Sequence, residues 1–158
     1  TKAAQMERGD IKRKNFDHMV VGLFLHDLGM TKVPAFVREK NKALLPDERA
    51  KVQRHTQSGY EMLTKLNLRF AEIEECVSDH HERMTGTGYP QKMMGGAISE
   101  SARLCAVADA FCAMTSKRSY ADAMEPMPAA AALAQDAGFD PEYSRQLQAM
   151  VLAQAKPK

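Results

Sequence analysis

Apolar side chains recur three and four positions apart along most of this chain, which is the spacing that predicts amphipathic helices. A first helix is predicted over 15–28, and Gly29 supplies its stop signal. Further helices are predicted over 46–66, 70–81, 100–116, 128–137 and 141–155. Several glycines and a proline mark 85–96 as a loop. No stretch alternates apolar and polar residues long enough for a strand, so the predicted fold class is all-α.

The first fourteen residues are polar and lack this apolar pattern. The 158 residues of the chain are enough for one ordinary domain but too few to expect two. Because the chain also opens on Thr1 rather than Met, we interpret 1–14 as the end of a preceding region. Residues 15–155 are then the domain itself.

Composition excludes several classes of protein. No window approaches the roughly 18 uninterrupted apolar residues that a membrane span needs, and no signal peptide is visible. The net charge of +2 gives no electrostatic case for binding a nucleic acid polymer or an anionic membrane. Three cysteines without zinc-like spacing fit a reducing compartment, so a cytoplasmic location is expected.

Ionisable residues stand where the helical pattern predicts core. They are His26, Asp27, His55, His80, His81 and Asp109. Burying such groups costs several kcal/mol unless something compensates them. Any one of these histidines alone is better explained as a hydrogen-bonded core residue. Four of the chain's five histidines and two aspartates on separate helices are together better explained by a metal site.

The types of these side chains narrow the chemistry of that site. Imidazole and carboxylate without thiolate favour iron, manganese or zinc in an open hydrolytic site over a closed structural zinc site. Asp27 beside His26 is suited to bridging two ions, since each carboxylate oxygen can reach one. Two ions about 3.5 to 4 Å apart are the usual arrangement for hydrolysing phosphoesters.

Four motifs occur in a specific order. They are His26-Asp27-Leu28-Gly29; His55 with Gly59 four residues on; His80-His81-Glu82 followed by Gly86 and Gly88-Tyr89-Pro90; and Val107-Ala108-Asp109 followed by Thr115-Ser116-Lys117-Arg118-Ser119-Tyr120. Together they make the chain resemble an HD-GYP domain from about residue 23 to 120, and 138–141 resembles the start of that family's closing helix. The histidine-aspartate pair alone is a weak signal, but the full set in this order is specific.

The resemblance implies a single helical bundle whose core holds two or three divalent ions, iron or manganese. It implies hydrolysis of cyclic di-GMP to pGpG, GMP or both, by attack of a metal-bridging hydroxide on phosphorus. By position, the metal ligands are His26, Asp27, His55, His80, His81 and Asp109, with Asp27 as the bridging, catalytic carboxylate. Gly88 and Tyr89 match the loop that shapes the substrate pocket, and Arg118 matches a phosphate contact. An upstream regulatory or sensory domain is expected as a partner.

The chain departs from the family pattern at a few positions. Met30 stands where the family has a lysine, with Lys32 as a stand-in for binding substrate, and Ala121 stands where a second lysine is usual. A further ligand usually precedes the histidine-aspartate pair; Glu7 and His18 are within reach, and His18 is expected at the surface.

These departures leave two alternatives to an active phosphodiesterase. The first is a degenerate domain that acts as a cyclic di-GMP receptor or protein-interaction module with little turnover. The second is a hydrolase of another nucleotide. The Gly-Tyr-Pro loop argues against this second alternative. Retention of all six ligands favours catalysis, because a purely structural domain gains little from polar groups in its core.

Overall fold

The computed structural model describes residues 2–117 and 122–155, and these residues form a helical structure. The α-helices are α1 (Lys2–Leu25), α2 (Ala35–Arg38), α3 (Pro46–Gln53), α4 (His55–Lys65), α5 (Ala71–Asp79), α6 (Glu100–Thr115), α7 (Pro126–Gln135) and α8 (Pro141–Gln154). Short 3-10 helices span Leu28–Lys32 and Gly95–Ala97. The described residues contain no strand beyond an isolated bridge between Thr85 and Met94. The all-α prediction is therefore confirmed.

The first helix begins earlier than the apolar pattern predicts. α1 starts at Lys2 rather than near residue 15 and is continuous to Leu25. Lysine, arginine, glutamate and alanine, which dominate its first half, form helix well without any apolar stripe. The assignment of 1–14 to a preceding region stays a prediction.

The helix predicted over 46–66 is wrong as a single element, since α3 and α4 meet at Arg54. The Nδ1 atom of His55 lies 2.7 Å from the carbonyl oxygen of Val52, so the imidazole competes for that carbonyl at the junction. The helix predicted to reach residue 81 is also too long, because α5 ends at Asp79. The helices α6 to α8 agree with their predicted bounds within one or two residues.

Two apolar clusters hold the helices together. The first consists of Leu63, Ile73 and Val77 with Leu25, Leu28 and Leu68 against them, and it joins α1, α4 and α5. The second consists of Ala106, Val107, Leu133 and Phe139 with Ala110, Phe111, Met114, Tyr143 and Leu147, and it joins α6, α7 and α8. Fully burying a large apolar side chain contributes about 1.5 to 3 kcal/mol, so these clusters fix the helices that carry the polar residues.

Capping interactions connect α6 to α8. Asp140 caps α8 by accepting hydrogen bonds from the backbone N–H groups of Glu142 and Tyr143 at 2.8 and 3.2 Å. Its second carboxylate oxygen accepts a hydrogen bond from Arg103 of α6 at 2.5 Å. Such charge-assisted bonds lock the two helices in register.

None of the helices in 2–117 and 122–155 combines the length and the apolar character needed to cross a bilayer.

Candidate metal centre

The six predicted metal ligands meet in one place. His26 and Asp27 follow the end of α1, and His55 begins α4. His80 and His81 follow the end of α5, and Asp109 lies within α6. Ligand atoms of Asp27, His55, His80 and His81 all lie within 4.8 Å of one another. The Nε2 atom of His26 lies close to Asp27 and 3.7 Å from Oδ1 of Asp109, which brings the fifth and sixth residues to the cluster.

Asp27 lies at the centre of this arrangement. Its Oδ1 is 3.3 Å from Nε2 of His55 and 3.9 Å from Nε2 of His80. Its Oδ2 is 3.6 Å from Nε2 of His26. The Asp27 side chain is 53% exposed, so the cluster is open to solvent on this side. The two oxygens therefore face different histidines, as a bridging carboxylate would.

Backbone carbonyls orient three of the imidazole rings. Nδ1 of His26 lies 2.6 Å from the carbonyl oxygen of Leu23, and Nδ1 of His80 lies 2.7 Å from that of Cys76. The bond from His55 to Val52 is of the same kind. Because a carbonyl oxygen only accepts, Nδ1 must carry the proton in each ring. A neutral ring then presents its Nε2 lone pair to the cluster, which is the usual way proteins prepare a metal-ligating histidine.

His55 and His80 provide the test of whether these residues fit a cation. Their Nε2 atoms are 3.2 Å apart, and the two residues are 1% and 0% exposed. With both protons on Nδ1, two lone pairs point at each other beside a carboxylate oxygen of Asp27. Buried acceptors without a donor are unfavourable unless a cation compensates them. The donor set therefore fits a divalent metal ion.

Burial and neighbouring charges shift the pKa values of the histidines in opposite directions. Burial lowers the pKa of His80 to about 3 and also lowers the pKa of His81. The carboxylate of Asp109 raises the pKa of His26 to about 9, together with the Leu23 carbonyl and Asp27. Burial by itself would raise the pKa of Asp109, but His26 and His81 hold it below its usual range. Without metal, His26 is therefore the imidazole that takes up a second proton and becomes charged.

The Gly-Tyr-Pro loop lies against the metal-ligand cluster. The ring of Tyr89 stacks on that of His81, with centroids 4.6 Å apart, and its backbone N–H donates to the His81 carbonyl at 3.2 Å. A Cβ on Gly88 would lie 2.5 Å from both the backbone N of Arg83 and the His81 carbonyl oxygen. Only glycine allows this approach, so Gly88 is needed to bring Tyr89 to the cluster.

Glu82 has a role that the sequence pattern did not assign. The residue is 2% exposed, and its carboxylate accepts hydrogen bonds from the backbone N–H groups of Gln91 at 2.6 Å and Met93 at 2.9 Å. It therefore ties the far side of the loop to the turn that carries His80 and His81. The only sequence signal was its position directly after the histidine pair.

The remaining predicted residues lie further from the cluster or outside the described residues. Nδ1 of His18 lies 3.2 Å from Glu72, and its ring packs on Phe70, so His18 is not among the residues that meet at the cluster. Lys32 is exposed at the end of the first 3-10 helix and lines a cavity that His55 also lines. Arg118 and Ala121 lie outside the described residues, and so does the side chain of Glu7.

Known relatives include cyclic dinucleotide phosphodiesterases. The cyclic di-GMP phosphodiesterase response regulator RpfG of Xanthomonas campestris pv. campestris is 40% identical over 120 residues, which are 74% of this chain and 32% of that protein. The cyclic di-GMP phosphodiesterase PA4108 of Pseudomonas aeruginosa is 37% identical, over 77% of this chain and 30% of that protein. The 3'3'-cGAMP-specific phosphodiesterase 2 of Vibrio cholerae is 37% identical over 62% of this chain and 19% of that protein. The chain thus spans about a third or less of these curated relatives.

A solved structure and a family profile agree with this similarity. Bd1817, an HDG"Y"P protein from Bdellovibrio bacteriovorus, superimposes with a TM-score of 0.72 at 17% identity, over 93% of this chain and 47% of that one. This likeness shows the fold. The sequence profile described as HD domain matches residues 6–143. The chain belongs to the HD domain family, within its HD-GYP group.

Proposed function

We propose that this domain is a metal-dependent phosphodiesterase that hydrolyses cyclic di-GMP to pGpG, GMP or both. The observation that carries the proposal is the convergence of unprotonated Nε2 atoms of His55 and His80 on a carboxylate of Asp27. Relatives such as RpfG and PA4108 are cyclic di-GMP phosphodiesterases, which supports cyclic di-GMP as the substrate.

The proposed cofactor is a set of two divalent ions, or three as the alternative number. His26 and Asp109 lie on the Oδ2 side of Asp27, while His55 and His80 lie on the Oδ1 side. This division supports two positions that share Asp27 as the bridge. Nitrogen and oxygen donors without thiolate favour iron or manganese.

Divalent ions at such a site lower the pKa of bound water and offset charge on the phosphoryl oxygens. The residues of the chain then have separate tasks. Asp27 and the oriented imidazoles would fix the ions, while Gly88 and Tyr89 would form one wall of the substrate pocket. Lys32 would contact a phosphate. The phosphate contact of Arg118 stays a prediction, as do the cytoplasmic location and the upstream regulatory domain.

A second candidate substrate is 3'3'-cGAMP, which is also a cyclic dinucleotide with two purine bases. Relatives from Vibrio cholerae carry that specificity in their names, at 34 to 37% identity. The receptor function without turnover is the other candidate, and Met30 in place of the usual lysine is the feature that favours it.

The test combines metal content with turnover. Protein loaded anaerobically with Fe(II) or Mn(II) is expected to hold at least one ion per chain and to hydrolyse one of the two dinucleotides. Asp27→Asn keeps the shape of the side chain and should abolish both properties, whereas Asp17→Asn on the exposed part of α1 should change neither. Less than one ion per chain in the loaded protein would contradict the proposal. Bound metal and bound dinucleotide without turnover would establish the receptor function instead.

A further inference from the structure

Three cations surround a cavity, and the proposed function gives a task to only one of them, Lys32. Lys32, Lys51 and Arg54 line a space of about 160 Å³, and Val33, Pro34, His55 and Ser58 complete its wall. We refer to this cavity as the basic cleft.

The charges of the basic cleft are free to bind an anion. The side chains of Lys32, Lys51 and Arg54 are exposed, and they take part in none of the ion pairs formed by the described residues. Glu48, one helical turn before Lys51, forms its ion pair with Lys40 at 2.6 Å. Three cations around one concavity without a carboxylate repel one another, and a bound anion would relieve that repulsion.

The position of the basic cleft links it to the metal-ligand cluster. Arg54 directly precedes the ligand His55, and Lys51 lies one helical turn earlier. Lys32 ends the 3-10 helix that follows Asp27. The cleft therefore shares His55 as a wall residue with the cluster, and an anion bound there would lie close to the cluster.

The rim of the basic cleft suits a nucleotide better than a small inorganic anion. Phe36 is 69% exposed, and Nζ of Lys51 lies 5.9 Å from the centroid of its ring. An exposed aromatic ring beside phosphate-binding cations offers a stacking surface for a base, since every base has a π-face.

A cyclic dinucleotide carries two phosphodiesters, and the metal site engages the one that is cleaved. We propose that the basic cleft binds the other phosphodiester through Lys32, Lys51, Arg54 and Ser58, with Phe36 stacking on the adjacent base. This inference rests on the proposed function. It adds Lys51 and Arg54 to Lys32, the stand-in for the lysine that Met30 replaces.

The test compares a large and a small substrate in the metal-loaded protein. Lys51→Gln/Arg54→Gln removes both charges while keeping extended polar side chains. Its KM for cyclic di-GMP should rise by about tenfold or more, while its KM for bis(p-nitrophenyl) phosphate, a diester that reaches only the metal site, should rise less than about twofold. Raising the salt concentration should increase the KM for cyclic di-GMP in the wild type more than in the double variant. Phe36→Ala should raise the same KM without changing metal content.

Lys65→Gln, at the far end of α4 and outside the cleft, is the matched control and should behave as wild type. Equal KM changes for both substrates, or no change for cyclic di-GMP, would overturn the inference. If the metal-loaded wild type does not hydrolyse cyclic di-GMP, the proposed function fails separately. The inference is then tested by calorimetric titration of cyclic di-GMP, where a dissociation constant equal in wild type and double variant, or no binding by either, overturns it.

Discussion

The Nε2 atoms of His55 and His80 face each other at 3.2 Å, although the two residues are 25 positions apart in the chain. Each ring is held by its own bond from Nδ1 to a carbonyl of the preceding turn. Neither imidazole can turn its Nε2 away without breaking that bond. The two rings are thus oriented for a cation before any ion binds. Replacing one of them should therefore cause a measurable loss of metal binding.

Replacing His80 should therefore remove metal-dependent stabilisation. Ligand binding at a free concentration 100 times the dissociation constant adds about 2.7 kcal/mol to the free energy of unfolding. We expect Mn(II) to raise the Tm of the wild type and to leave that of His80→Asn nearly unchanged, with a matching loss in metal content. His18→Asn, outside the cluster, should keep both. A His80→Asn protein with wild-type metal content would refute the assignment.

The buried carboxylate of Glu82 should be needed for an ordered Gly-Tyr-Pro loop. In Glu82→Gln an amide NH2 must face one of the backbone donors of Gln91 and Met93, so one charge-assisted hydrogen bond is lost. We expect the free energy of unfolding to fall by about 1.5 to 3 kcal/mol in urea titrations. In the control Glu61→Gln, on the exposed side of α4, the free energy of unfolding should fall by less than about 0.5 kcal/mol. Equal stability of the two variants would show that the loop does not depend on Glu82.

The convergence of the six side chains was predictable because they violate the apolar pattern. His55 and Asp109 occupy helix positions where periodicity demands core, and that conflict is visible without a structure. The role of Glu82 was not predictable, since its partners are backbone N–H groups that every non-proline residue has. Lys51 and Arg54 also gave no signal, because exposed charges on a helix look like an ordinary solvated face.

The helix boundaries show the same limit. The predicted stripe runs on past Arg54, and no proline or glycine in the sequence marks the junction of α3 and α4. Two contacts meet there: the His55 imidazole occupies the Val52 carbonyl, and the backbone of Gly29 packs directly on the carbonyl of His55. Periodicity reports which face is buried, but not where another segment presses against the backbone.

Gly29→Ala should be strongly destabilising for this reason. A Cβ there would lie 1.9 Å from the His55 carbonyl oxygen, and a backbone oxygen cannot move aside as a flexible side chain can. We expect a loss of about 3 kcal/mol or more in the free energy of unfolding, and reduced metal content because His55 is displaced. Gly96→Ala, whose Cβ would meet nothing within 4 Å, is the matched control and should be close to neutral. Similar stability of both variants would contradict the close approach.

The stability of the metal-free protein should peak near pH 6.5. His80, with its pKa lowered to about 3, stays neutral when folded, while the unfolded chain takes up a proton below 6.5; stability therefore falls as the pH drops from 6.5 towards 3. His26 has the opposite sign. Its pKa is raised to about 9, so its contribution is complete below 6.5 and is lost as the pH rises to 9.

Urea unfolding in EDTA across this range measures both limbs of the profile. His26→Asn should remove the alkaline decline and leave the acid one, because Asp109 then has no protonated partner at His26 to lose. Stability that rises between pH 6.5 and 9 in the wild type would show that His26 is not the proton-holding member of the metal-free cluster.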